Sequence, residues 1–184
     1  MDSGTDAPTP PGWHPGSPPS AWIVRFARLV PKGGTVLDLA CGAGRHTRLF
    51  AGRGHRVVAV DRDLRGILDL KDDPNVEQHE LDLEAGAPFP FAGRTFDAVV
   101  VANYLYRPIL PDLVGALDKG GVLLYETFAQ GNQKFGTPTN PDFLLNGGEL
   151  LDLARPRLQV VAYEDLEVAE PKPSAVQRIA AVRR

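Results

Sequence analysis

The most chemically suggestive residues of this chain lie between Asp38 and Asp61. Residues 35–47 read TVLDLACGAGRHT, which is an apolar strand followed by a glycine turn and the start of a helix. Gly42 and Gly44 allow the backbone to turn sharply and to approach a ligand closely. Asp61 ends the next apolar run, at about the 20-residue spacing from which a carboxylate can accept the hydroxyls of a ribose. These residues predict a pocket for a nucleoside.

The glycine turn does not match the fingerprint of a dinucleotide site. Thr47 stands where the third glycine of that fingerprint should be, and Asp38 lies inside the strand, four residues before Gly42. A carboxylate at that place would repel a pyrophosphate but suits a cationic ligand. A nicotinamide-dependent dehydrogenase is therefore disfavoured.

The pattern Asp38-x-x-x-Gly42-x-Gly44 followed by Asp61 resembles the first two motifs of class I S-adenosylmethionine-dependent methyltransferases. A second likeness, carried by residues 126–128 and 135–145, is narrower. It resembles the small bacterial branch related to tellurite-resistance methyltransferases. The resemblance implies S-adenosylmethionine as the cofactor, which carries a positive sulfonium and ammonium, and S-adenosylhomocysteine as the product.

The resemblance also implies which residues hold the donor. Asp61 would bind the ribose, Asp82 the adenine amine, and Arg45 the methionine carboxylate, while the Asn103 carbonyl would face the methionine ammonium. The full set of expected cofactor-binding residues is Asp38, Ala40, Cys41, Gly42, Gly44, Arg45, Asp61, Arg62, Asp82, Leu83, Asn103 and Tyr104.

Two residues near the expected methyl position are candidates for catalysis. Tyr104 follows the fourth strand and can wall the site, and Glu126 ends the fifth strand as the best-placed carboxylate for a general base. Methyl transfer is an in-line displacement, so alignment of the acceptor can suffice and a base is optional. The glycine-, asparagine- and proline-rich stretch 129–148 is either an acceptor wall or a purely structural loop.

These residues require an α/β scaffold that carries the strand ends to one edge. Apolar runs and turn signals alternate as in a doubly wound, Rossmann-like fold with a seven-stranded, mostly parallel sheet and a C-terminal antiparallel hairpin. The predicted strands are 35–39, 56–60, 76–81, 96–102, 121–126, 158–167 and 175–183, and the predicted helices are 21–30, 44–52, 63–70, 108–118 and 147–154.

Composition limits the class of protein. With 184 residues, 43% of them hydrophobic, we expect one methyltransferase domain over residues 20–184 behind a flexible, proline-rich arm over 1–19. The single cysteine excludes an internal disulfide and suits a cytoplasmic location, and no apolar stretch is long enough for a membrane span. The four histidines lack metal-ligand spacing, so no metal is expected.

We expect the acceptor to be a small molecule, such as a thiol, a chalcogen or another nucleophile. The net charge of −3 gives no general attraction for nucleic acid, and the two-proline motif of amino-directed nucleic-acid methyltransferases is missing after the fourth strand. Nine Lys or Arg against three acids in residues 25–65 keep RNA open as a substrate. A methyltransferase that acts on proteins and a non-catalytic module that only binds the donor stay open as well.

Overall fold

The structure, a computed structural model, describes residues 16–184. Most of the expected N-terminal arm, residues 1–15, lies outside the described residues. Within the described part, seven strands form one sheet, and the segments between them pack on its two faces. The strands are β1 (Thr35–Leu39), β2 (Arg56–Asp61), β3 (Val76–Glu80), β4 (Phe96–Ala102), β5 (Leu117–Phe128), β6 (Leu158–Val168) and β7 (Ser174–Arg183).

Short helices connect most of these strands. The α-helices are α1 (Ala21–Phe26), α2 (Arg45–Ala51), α3 (Leu110–Gly115) and α4 (Glu149–Ala154), and the 3₁₀ turns are Ala27–Leu29, Leu64–Leu70, Arg107–Ile109, Asn132–Lys134 and Pro141–Phe143. Ser20 caps α1 by accepting a hydrogen bond from the Ile23 N–H at 3.5 Å.

The strand order is β3-β2-β1-β4-β5-β7-β6, with β1 to β5 parallel and β7 antiparallel to both of its neighbours. The expected seven-stranded, mostly parallel sheet with a C-terminal antiparallel hairpin is therefore confirmed. The order reverses between β1 and β4, and in such sheets the crevice at the reversal point is where ligands bind.

The sheet is buried on both faces because alternate strand residues point to opposite sides. On one face Trp22, Ile23 and Phe26 of α1 pack with Phe50 of α2 over the even-numbered residues of β1, β4 and β5. On the other face α3 and α4 cover the odd-numbered residues of the same strands. Asp38 and Glu126 fall on the α1 side, so both reach the crevice from that side.

The element boundaries differ from the sequence prediction mainly around β5. The helix predicted over 108–118 is wrong at its end, because α3 stops at Gly115 and Leu117 already pairs with Phe96 in the sheet. Leu117 is fully buried, and Gly120 turns the chain with φ +81° before the regular part of the strand begins. Burial of Leu117 thus overrides the local helical pattern.

The glycine turn after β1 packs against the segment that follows β2. Gly44 has φ +74°, and a Cβ added there would overlap the side chain of Ile67, which is itself fully buried. Gly44 therefore serves packing between two connections, in addition to allowing the turn.

We predict that Gly44→Ala destabilises the protein by about 2–4 kcal/mol, since it combines left-handed strain with an overpacked contact on Ile67. Gly54→Ala is the matched control, because Gly54 has φ +81° and open space around its Cα. The control should lose only about 1–2 kcal/mol, the cost of left-handed strain. Denaturant unfolding of both variants measures the difference, and equal losses would contradict the packing role of Gly44.

Candidate donor and acceptor site

The predicted site residues follow the carboxyl ends of adjacent strands. Asp82 comes after β3, Asp61 ends β2, the glycine turn follows β1, Asn103 follows β4, and Glu126 lies near the end of β5. Because these strands are parallel and neighbours in this order, the residues share one edge of the sheet. The topology therefore brings together groups that are up to 88 positions apart in the chain, from Asp38 to Glu126.

Asp38 is a buried carboxyl group beneath the glycine turn. Its side chain is 1% exposed, and its Oδ2 accepts a hydrogen bond from the Thr47 hydroxyl at 2.6 Å. Burial raises the pKa of Asp38 to about 6, although the bonds from Thr47 and the charge of Arg45 oppose that rise. The residue in the place of the missing third glycine thus holds the carboxyl group in position.

Asp61 connects β2 to the glycine turn. Its Oδ2 accepts the Gly42 N–H at 2.8 Å, and its Oδ1 accepts the Asp63 N–H at 3.1 Å. Each carboxylate oxygen has two lone pairs, so these bonds leave capacity for two ribose hydroxyls. Because it binds the Gly42 N–H, Asp61 also stabilises the conformation of the glycine turn, in addition to any contact with a ligand.

Two residues at the strand ends hold backbone conformations that are uncommon outside glycine. Ala40 has φ +53° and Asn103 has φ +57°. Both lie directly beyond a central strand, and each is held by a neighbouring strand: the Cys41 N–H donates to Val60 O, and the Asn103 N–H donates to Glu126 O. Such strain is stored where the surrounding structure enforces it, often at ligand sites. Both positions are among the expected donor-binding residues.

The adenine end of the expected site is more open. Asp82 is exposed and forms a turn in which its Oδ1 accepts the Glu84 N–H at 2.9 Å. The Leu83 side chain is buried in the core, and Arg62 is exposed next to Asp61. The Leu81 N–H donates to Asp61 O at 2.9 Å, which holds this turn beside the ribose position.

Arg45 and His46 open α2 and have different roles. Arg45 is half-buried, and burial lowers its pKa while the charges of Glu126 and Asp38 act in the opposite direction. His46 is buried, its Nε2 accepts the Ser20 N–H at 3.1 Å, and burial lowers its pKa to about 3. His46 is therefore a neutral anchor for the start of α1, whereas Arg45 remains available to an anion.

The two tyrosines near the β4 tip are coupled. The hydroxyl of Tyr125, fully buried, donates to the carbonyl oxygen of Tyr104 at 2.8 Å. The Tyr104 hydroxyl is buried, with no hydrogen-bond partner among the described residues, and burial beside Glu84 raises its pKa. The Tyr104 phenol is thus a weak candidate for a base and a better candidate for a wall or a donor.

Glu126 belongs to a row of charges across three strands. Its Oε2 lies 2.8 Å from Arg178 Nε, without the alignment of a hydrogen bond, and Arg178 Nη1 donates to Glu164 Oε2 at 3.3 Å. The side chains of Glu126 and Arg178 are only 13% and 18% exposed. This ion pair keeps Glu126 anchored, so a role as a base requires that the carboxylate leave Arg178 or share it.

The stretch 129–148, the acceptor loop, is fastened to the sheet. Asn132 is buried, accepts the Ala175 N–H and donates to Pro138 O, and Gln177 is buried and donates to Asn146 O at 2.6 Å. Asn140 caps the turn at Pro141, and Lys134 pairs with Glu167. Of its aromatic residues, Phe135 is 38% exposed. These contacts give Asn132 and Asn140 structural roles inside the loop.

The residues present fit S-adenosylmethionine. A buried carboxyl group suits a cationic ligand, Asp61 retains lone pairs for hydroxyls, and the strained backbone at Ala40 and Asn103 lies on both sides of the strand-order reversal.

In residues 16–184 no three His, Cys, Asp or Glu side chains come together in a way that could hold a metal ion. The same part of the chain contains no helix long and apolar enough to cross a bilayer.

Comparison with known proteins identifies a methyltransferase domain. The methyltransferase domain family matches residues 36–121, which contain the glycine turn, Asp61, Asp82 and the tip of β4. Residues 36–121 therefore form a methyltransferase domain, and the chain is similar to class I S-adenosylmethionine-dependent methyltransferases. The expected resemblance to this family and the expected cofactor of the family are confirmed.

Individual relatives of this chain are distant. The malonyl-[acyl-carrier protein] O-methyltransferase of Serratia marcescens is 34% identical over 105 residues, which are 54% of this chain and 40% of that protein. TehB from Haemophilus influenzae superposes with a TM-score of 0.69 at 18% identity, over 88% of this chain and 61% of the other. The chain thus spans less than two thirds of the length of either protein.

A third relative was crystallised with an acceptor and the product of the donor. It is the 1,6-didemethyltoxoflavin-N1-methyltransferase of Burkholderia thailandensis, with bound 1,6-didemethyltoxoflavin and S-adenosylhomocysteine. Its TM-score is 0.63 at 19% identity, over 87% of this chain and 75% of the other. At these identities the structural likeness shows the fold alone.

Local sequence patterns assign no role to Arg107, Tyr125, Gln177 or Arg178. Each acts through a partner that is distant in sequence, as in the 21 positions between Tyr125 and Tyr104. A polar residue within the apolar run of β7 was the only signal for Gln177 and Arg178, because a buried polar side chain needs a partner.

Asp38 makes the stability of the protein depend on pH. Its folded pKa of about 6 lies above the ordinary value of 3.8, so the protonated carboxyl favours the folded state. This contribution is complete below the unfolded pKa and is lost as the pH rises through the folded one.

We therefore compare the free energy of unfolding of Asp38→Asn with that of the parent protein. The difference should shift in favour of the variant by about 2 kcal/mol as the pH rises from about 4.5 to about 7.5. The asparagine keeps an oxygen for the Thr47 hydroxyl and never has to ionise in the interior. Urea unfolding of both proteins at the two pH values measures the change. A pH-independent difference would show that the carboxyl is not the buried titrating group.

Proposed function

We propose that this chain transfers a methyl group from S-adenosylmethionine to a small-molecule nucleophile. The observation that carries the proposal is the order of groups along one sheet edge: Asp82, Asp61, the glycine turn over Asp38, Asn103, and Glu126. The first three groups match the adenine, ribose and methionine parts of the donor. The last two lie where the activated methyl and its acceptor would meet.

The chain's own residues bind and align the reactants. S-adenosylmethionine supplies, when bound, a methyl carbon activated by a sulfonium. Asp38 offers negative charge to that cationic ligand, and Arg45 offers a guanidinium to its carboxylate. Burial of these charges strengthens their interactions, because there is little water to screen them. In-line alignment then supplies most of the rate enhancement, and no enzyme thiolate is needed.

The acceptor side favours a compact molecule. Tyr104 and Tyr106 pack against the core at the tip of β4, and the acceptor loop is fastened by buried side chains. Glu126 and Arg178 place one negative and one positive group beside this region. A pocket with a few charged groups and aromatic walls is typical of small-molecule sites.

RNA is the second candidate for the acceptor, and a set of exposed basic side chains is the observation that favours it. Arg25, Arg28, Lys32, Arg53 and Arg56 are exposed and have no carboxylate partner within 4.0 Å among residues 16–184. The Arg56 N–H donates to Gly34 O, so the turn after Lys32 adjoins the start of β2. Exposed lysine and arginine side chains can contact phosphates. Lys32 and Arg56, however, lie at the amino ends of β1 and β2, which is the edge opposite the donor residues.

The deciding experiment combines calorimetry with donor turnover. S-adenosylhomocysteine should bind, and methyl-labelled S-adenosylmethionine should yield S-adenosylhomocysteine with thiol, selenide, amine or hydroxyl compounds from a small-molecule panel. Transfer of the label to RNA would favour RNA as the acceptor, provided that the affinity of the protein for that RNA falls steeply between about 50 and about 200 mM salt. Binding without turnover on any acceptor, protein included, would favour a non-catalytic module.

Asp61 provides a test of the donor position. Asp61→Asn keeps an oxygen for the Gly42 N–H but removes the charge that strengthens bonds to the ribose hydroxyls. We expect a loss of about 1.5–3 kcal/mol in S-adenosylhomocysteine affinity, measured by calorimetry. Asp63→Asn is the control, since its carboxylate contacts the exposed Arg65. An unchanged affinity for Asp61→Asn would refute the ribose assignment.

A further inference from the structure

Arg107 joins the tip of β4 to the acceptor loop. It directly follows Tyr106, and its guanidinium makes four hydrogen bonds to groups 35 to 42 positions away. Nη1 donates to Asp142 O and Nη2 to Leu144 O, each at 2.8 Å, while Nε and Nη2 donate to the two carboxylate oxygens of Glu149 at 2.8 and 2.9 Å.

Glu149 extends this contact to the end of the loop. Its Oε2 also accepts the Asn146 N–H at 2.8 Å and Asn146 Nδ2 at 3.2 Å. The side chain of Glu149 is 18% exposed and that of Arg107 is 36% exposed, so the ion pair is partly shielded from water. Arg107 and Glu149 together bind the backbone of residues 142–146 to the strand tip.

The other contacts of the acceptor loop join it to elements other than β4. Asn132 and Gln177 bind the loop to β7, and Ala129 pairs with Leu145 inside the loop. Arg107 is the residue that binds the second half of the loop to β4, whose tip would border the methyl group. Loss of Arg107 would therefore release the loop on the donor side while β7 still holds its other side.

We propose that Arg107 is a positioning residue that makes the acceptor loop a fixed wall of the acceptor pocket, set at a constant distance from the β4 tip. The proposal rests on the proposed function, since it takes the space between the loop and Asn103 as the acceptor pocket. A planar guanidinium is required, because a lysine ammonium cannot reach two carbonyls and both oxygens of one carboxylate at once.

The structure offers a matched control. Arg94 forms an equally two-pronged pair with Glu77, with two bonds of 2.8 Å and a side chain 38% exposed. That pair joins the region before β4 to β3, away from the acceptor loop. Arg94→Lys thus removes the same kind of interaction without touching the proposed wall.

The first measurement needs no acceptor. Hydrogen–deuterium exchange of peptides covering 139–146 should accelerate by about tenfold in Arg107→Lys, and also in Glu149→Gln, because local opening becomes easier. Arg94→Lys should leave exchange in 139–146 unchanged. Equal protection in Arg107→Lys and the parent protein, or equal acceleration in the control, would overturn the proposal.

The second measurement separates positioning from stability. With labelled S-adenosylmethionine and dilutions of the small-molecule filtrate of a cell extract, Arg107→Lys should need several-fold more filtrate for half-maximal transfer. Its S-adenosylhomocysteine affinity should match that of Arg94→Lys. If Arg107→Lys instead lost S-adenosylhomocysteine affinity by the same factor as methyl transfer, the residue would have a general structural role and the proposal would be overturned. A parent protein that transfers no label would refute the proposed function, while the exchange experiment still tests the loop contact.

Discussion

The parallel direction of β1 to β5 is the constraint on which the rest of the structure depends. Parallel neighbours deliver their carboxyl ends to the same edge, and the reversal of strand order between β1 and β4 opens a crevice there. Every group with an expected role in donor binding follows one of these ends. The antiparallel β7 then adds Arg178 and Gln177 to the same edge, beside Glu126 and the acceptor loop.

The two carboxyl groups at this edge differ in their surroundings. Asp38 is buried with a raised pKa, whereas Glu126 keeps an ion pair with Arg178. An ionised carboxyl group that is buried without an ion-pair partner reduces stability. An ion pair offsets part of that cost for a buried carboxylate, which is then less free to take a proton. The donor side and the acceptor side of the site thus use carboxylates in different ways.

The acceptor loop shows how a long irregular connection becomes ordered. Buried Asn132 and Gln177 satisfy its backbone from one side, and Arg107 does so from the other. Backbone groups away from water need such partners, and a loop that has them behaves as part of the scaffold.

The sequence by itself determined the fold class, the resemblance to a family and the strand ends at which the expected donor residues lie. Asp38, the glycine turn and Asp61 are local motifs, and alternating apolar runs set the order of elements, so short-range patterns were enough. Tertiary structure decided the end of α3, where burial of Leu117 outweighed a helical pattern. It also decided the roles of Arg107, Tyr125 and Arg178, because hydrogen bonds and ion pairs between residues tens of positions apart depend on strand register and loop path, which no local pattern encodes.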